Sequence, residues 1–142
     1  MIREATPADT PRLVEMGERF LTQTVYRGRV TVNPEQMAAT VTLMRGEVGK
    51  IFVLEIDGAV VGMIGLLIFL HPIAGEVTVS EVFWWVEPEH RGGGIRLLKR
   101  AEQWARAAGA VKLMMIAPTA DIGQLYLRLG YEPLETTYQR TL

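Results

Sequence analysis

Apolar residues recur along this chain at every third or fourth position in some stretches and at every second in others, and the switches mark out its elements. Residues 2–6 read as a short first strand. Asp9 or Thr10 then caps a helix carrying Leu13, Val14, Met16 and Phe20. Pro11 is tolerated in its first turn, while Gly17 counts against it. After a connection at 27–32, Asn33-Pro34-Glu35-Gln36 opens a second helix. Asn33 is its cap, Pro34 sits in the first turn and Gln36 returns the capping contact. Met37, Val41 and Met44 form its apolar stripe, and Gly46 and Gly49 lie past its end.

Residues 51–56 form a strand, Asp57-Gly58 a tight hairpin turn, and 59–70 the antiparallel return. That return is charge-free but only about half as long as a bilayer span, so it reads as a buried strand. His71-Pro72 and Gly75 break the run, and 77–86 is the next strand. Its alternation sets Glu81, Phe83 and Trp85 on one face and Val82, Trp84 and Val86 on the other. A third helix over 93–108 buries Leu97, Ala101, Trp104, Ala105 and Ala108, with Gly109 closing it. Residues 111–117 form a further strand, parallel to the one before the helix. A short helix at 121–129 stops at Gly130, and 131–141 returns as a final strand or strand pair. The order β-α-α-β-β-β-α-β-α-β predicts one α/β domain over 1–142, with a mixed, mostly antiparallel twisted sheet flanked by helices.

Composition narrows the chemistry. A net charge of -1 argues against attraction to nucleic acid or to an acidic membrane surface. The absence of cysteine removes thiol nucleophiles and thiolate metal sites. Only His71 and His90 are present, on no shared helix face, so no metal centre is expected. Arg3, Glu4, Asp9, Arg12, Glu15, Glu18 and Arg19 leave no apolar signal core near the start, and a cytoplasmic location is the default expectation.

The most informative stretch is His90-Arg91-Gly92-Gly93-Gly94-Ile95-Arg96-Leu97-Leu98. Three glycines between a strand and a helix let amide groups approach a ligand, and the helix start adds the positive end of its dipole. Together they read as an anion cradle running from Gly92 through Arg96, with Arg91 supplying charge. A Rossmann fingerprint fails because its last glycine position is Leu97, and a P-loop fails for want of Lys-Ser/Thr in register. Glu81 stands out as a carboxylate inside an aromatic strand. It is a candidate base with a raised pKa, against which stands an ordinary salt bridge.

These residues resemble the GNAT superfamily of acyl-CoA-dependent N-acetyltransferases. The segment 86–95 looks like that family's pyrophosphate loop, R-x-x-G-x-G/A, and Leu125-Tyr126-Leu127-Arg128-Leu129-Gly130-Tyr131 like its C-terminal signature. Arg96 departs from the loop pattern, where Gly or Ala is usual, and Thr119 and Ile122 depart from the segment before Tyr126. The resemblance implies acetyl-CoA as acyl donor, with no metal, and direct attack by a primary amine in a ternary complex. It places Trp85 and Val86 beside the thioester and pantetheine, and Tyr126 as the general acid. Tyr26, Arg27 and Arg29 would border the acceptor, with Phe83 as a wall of its pocket. The acceptor is a small-molecule or protein amine, and the C-terminal strand and apolar hairpin would support a homodimer. The alternative is a non-catalytic acyl-CoA-binding or sensing domain.

Overall fold

A computed structural model describes residues 1–142. Five strands form one sheet in chain order: β1 (Ile2–Glu4), β2 (Gly49–Ile56), β3 (Ala59–Leu70), β4 (Val77–Val86) and β5 (Lys112–Met114). Neighbours are antiparallel except β4 and β5, which are parallel. The helices are α1 (Thr10–Thr22), α2 (Pro34–Met44), α3 (Gly94–Ala107) and α4 (Ala120–Arg128). None is long and apolar enough to cross a membrane.

The core has two layers because β2 and β3 are apolar on both faces. Ile51, Val53, Val60 and Met63 pack with Leu13 and Met16 of α1 and Val41 and Met44 of α2. Phe52, Leu54, Ile64 and Leu66 pack with Leu97, Ala101 and Ala105 of α3. A strand covered on both sides carries a continuous apolar run, which is why 59–70 lacks alternation. Asp57 and Gly58, with φ of 50° and 78°, make the tight turn between β2 and β3.

Local signals account for most boundaries. Asn33 accepts a hydrogen bond from the Gln36 amide at 3.0 Å, as expected of the α2 cap. The Gln36 side chain does not return the contact but donates to Thr40 at 3.4 Å. Gly17, which counted against the first helix, marks the closest approach of α1 and α2, since a Cβ there would stand 2.8 Å from the Met37 methyl. The expected final strand at 131–141 is absent: beyond Arg128 the chain adopts no helix or strand. Pro133 lacks an amide donor, and Leu134, Tyr138 and Leu142 stand exposed among polar residues, too sparse to fasten a strand. The expected strand at 111–117 shrinks to the three residues of β5.

Candidate active site

The site begins where β4 and β5 part. They pair only from Thr78–Ser80 to Lys112–Met114, so residues 81–86 of β4 have no strand beside them on that edge. Just there β4 bulges: Gly65 faces Phe83 while Leu66 faces Glu81, leaving Val82 as the extra residue. The bulge breaks the expected alternation. Glu81 lies opposite Leu66, which packs in the α3 layer, whereas Val82, Phe83 and Trp85 pack in the α1–α2 layer. The expectation that Glu81, Phe83 and Trp85 share a face is therefore corrected, because one inserted residue reverses the phase of everything after it.

Glu81 is 5% exposed, and its Oε2 accepts a hydrogen bond from the Ile116 amide at 2.9 Å. Burial pushes its carboxyl up to about 7, with the Ile116 amide opposing part of that rise. The Tyr126 hydroxyl donates to the carbonyl of the same residue, Ile116, at 3.0 Å. Tyr126 is buried, stacks on Trp84 at 6.1 Å between centroids, and has its phenol pushed up, first by burial and then by Glu81 and Tyr131. Tyr26 is half-buried, 5.2 Å from the Phe20 ring, and its phenol is pushed up by burial and by the Glu81 charge. Glu81 therefore lies within electrostatic reach of one tyrosine from the α1 side and one from α4.

The glycine segment is helical rather than an open loop. Pro88–Gly93 forms a 3-10 helix that runs directly into α3, and the Gly94 amide donates to the Arg91 carbonyl. Gly93 and Gly94 have φ of -80° and -61°, ordinary right-handed values. The expected run of inward-pointing amides from Gly92 onward is thus partly consumed by helical bonding, which leaves the α3 start as the anion-attracting feature. Glycine is required for close packing instead: a Cβ on Gly93 would collide with Leu54, and one on Gly94 would stand 3.3 Å from Trp84. At Gly92 a Cβ would meet nothing.

The remaining expected residues divide by exposure. Trp85 and Val86 are buried, so only their backbone faces the gap beside β4. Arg91 lies over the Trp85 ring at 5.3 Å, Ile95 is partly exposed, and Arg96 is exposed. Phe83 is buried with its ring over Gly65, where a Cβ would collide with it. Arg27 and Arg29 are exposed, and Arg29 bonds back to the Val25 carbonyl at 3.2 Å.

Sequence reasoning missed Glu87. This buried carboxylate follows β4, at the start of the glycine segment, and holds two arginines of α1, Arg12 and Arg19, each at 2.9 Å. Arg12 also donates to the Val60 carbonyl at 2.9 Å. The available signal was a second carboxylate closing an apolar strand, opposite a helix with arginines seven residues apart.

A sheet parted at β4 and β5, with a glycine-rich helix start at the end of β4, matches a known pattern in sequence as well. The profile of the acetyltransferase (GNAT) family covers residues 17–131. The chain belongs to that family. No curated protein matches this acetyltransferase in sequence. Among solved structures, a transcriptional regulator from Bacillus halodurans C-125 superposes with a TM-score of 0.83 at 18% identity, covering 100% of this chain and 99% of that one. A ribosomal-protein-alanine N-acetyltransferase from Brucella melitensis biovar Abortus 2308 gives 0.77 at 17%, covering 100% and 98%. An aminoglycoside acetyltransferase from an uncultured soil metagenomic sample gives 0.74 at 16%, covering 100% and 97%. These three show that the GNAT fold extends over the whole of the chain.

Proposed function

We propose that the chain transfers an acetyl group from acetyl-CoA to a primary amine, with both substrates bound together and the amine attacking directly. The observation that carries this reading is the convergence of Glu81 and Tyr126 on Ile116, in the gap between β4 and β5. Acetyl-CoA supplies the acyl group, activated as a thioester. The residues present fit it. Open space at Gly92 adjoins the start of α3, and the indole N–H groups of Trp84 and Trp85 are buried with no protein partner.

Arg91, Gly92, Gly93, Gly94, Ile95 and Arg96 would hold the pyrophosphate, and the β4 backbone at Trp85 and Val86 the pantetheine arm. Arg96, Lys99 and Arg100 stand in the opening turns of α3. Arg96, exposed in the first turn, opposes the helix dipole by ~0.3–1 kcal/mol, a balance that a bound polyanion reverses.

A primary amine arrives as an ammonium and must lose a proton before attacking. Glu81, at about 7, is divided between its two protonation states near neutrality and can take that proton directly or through water. Tyr126 keeps its proton over the same range and acts as a neutral donor to the leaving sulfur, turning from the Ile116 carbonyl to do so.

A second reading, an acyl-CoA-binding or sensing domain without turnover, draws on the same contacts, since the Ile116 backbone already engages both groups. Calorimetric titration with acetyl-CoA, run beside a thiol-release assay over a panel of amines, separates the two. Transfer predicts saturable binding, weakened in Gly92→Glu, with thiol release that falls about a hundredfold in Glu81→Gln. Binding with no thiol release for any amine supports the sensor. No binding by the folded protein overturns both.

A further inference from the structure

The bulge that turns Glu81 away has a second effect: it points two successive residues, Val82 and Phe83, to the α1–α2 side. There they line an open cavity of about 280 Å³ bordered by α1, the segment leading into α2, and the start of α2. Its walls include Val14, Phe20, Leu21 and Met37, and Glu18 is the one charged residue among them. No arginine or lysine lines it, so it offers no cation to pair with an acidic group. An apolar cavity of ~150 Å³ accommodates benzene, so this one has room for a ring or branched chain together with its tether.

The cavity adjoins the strand that carries the proton-handling residue. Phe20, in its wall, packs against Tyr26, whose phenol feels the charge of Glu81, and Val82 in its floor is Glu81's neighbour in the chain. We infer that this cavity takes the apolar substituent of the acceptor, and that the preferred acceptor is a monoamine with one compact hydrophobic group rather than a polyamine or an amino sugar. Glu18 attracts the ammonium on its way in, and the cavity then holds the substituent while the nitrogen is presented at the bulge. This assignment of substrate class rests on the acetyl-transfer reading.

The test compares 2-phenylethylamine and isoamylamine with spermidine and an aminoglycoside. Binding is followed by ligand-observed NMR without CoA, and turnover by thiol release with acetyl-CoA. Val30→Asp places a charge on the cavity wall at a residue already 42% exposed, so the fold tolerates it. Thr40→Phe fills the same space from α2. The apolar amines should bind and be acetylated with the lower KM. Either variant should raise that KM about tenfold, with kcat and acetyl-CoA affinity unchanged. Preferred turnover of spermidine or the aminoglycoside, untouched by both variants, would overturn the assignment while leaving acetyl transfer standing. Binding of apolar amines, lost in the variants, by a protein that releases no thiol would instead uphold the cavity and sink the transfer reading.

Discussion

Burial disfavours the ionised form of Glu81 and lifts its carboxyl from 4.5 to about 7, so folding and function pull on this side chain in opposite directions. Below about pH 4.5 the group is neutral in both folded and unfolded chains and costs nothing. As pH rises from 4.5 to about 7 the unfolded chain ionises while the folded carboxyl keeps its proton, and stability on the order of 3 kcal/mol is lost across that window. Glu81→Gln should therefore melt higher than the parent at pH 8 and together with it near pH 4. Its acetyl transfer should also lack the rise in kcat/KM through about pH 7 that is expected of the parent. Equal melting at both pH values would mean that Glu81 stays solvated. At this scale the sequence was partly legible. A carboxylate among aromatic residues announced itself, but the reasons for Gly17 and Gly93 did not. Each is explained by a side chain from a distant segment, Met37 and Leu54, which local propensity cannot see.

Elements are fastened to one another by a few part-buried ion pairs. Glu87 connects the end of β4 to α1 through Arg12 and Arg19, tying the helix that walls the cavity to the strand that leads into the glycine segment. Glu87→Gln keeps the volume and removes the charge. It should cost about 1–3 kcal/mol, below the ~3–5 of a fully buried pair, because both arginines keep contact with water. Urea melts should show that loss, and calorimetry should show weaker acetyl-CoA binding. A destabilised variant with unchanged cofactor affinity would confine Glu87 to stability. At the other end of the sheet Arg3 holds Asp9 at 2.8 Å and Glu55 at 2.7 Å, joining β1 to the turn before α1. Arg3 and Thr6 hold Asp9 down at about 2. The stability it lends is present above pH 3.8 and disappears as pH falls through 2, so Asp9→Asn should flatten the acid limb of the melting curve. Helix caps and the hairpin turn were readable because their signals are local. The β4 bulge was not, since counting by twos assumes that no residue is inserted.

For the whole molecule, the helix–sheet sandwich is complete by Tyr131, whose hydroxyl donates to Glu102 of α3 at 2.8 Å. Residues past Tyr131 add little to it: Leu134 and Tyr138 are 76% and 91% exposed. Removing residues 132–142 should leave the calorimetric melting temperature within about 2 °C of the parent. A larger drop would show that these residues pack in solution. Element order was legible as far as α4 because helical stripes recur every three to four residues, strands do not, and Gly, Pro or Asn marks most joins. Beyond α4, the expected strand at 131–141 failed because Pro133 and the polar positions among Leu134, Tyr138 and Leu142 leave no face to bury. Glu81 and Tyr126 stood out in the sequence, but their convergence on Ile116 did not, because the bulge at Val82 changes the side of the sheet that counting by twos assigns along β4.

That extra residue makes the site a matter of phase. Deleting Val82 would remove a single apolar side chain and leave the tyrosines, the glycines and Glu81 all in the chain. Strict alternation would then resume along β4 with Glu81 still opposite Leu66 and Phe83 still opposite Gly65, so no side chain would change face. Keeping Val82 but pairing it regularly with Gly65 would do the opposite: Phe83 would join Glu81 on one face, and the rest of the strand would be inverted like a zip closed one tooth out of step. Two relatives can therefore share all the expected residues here and differ in chemistry through the register of one strand.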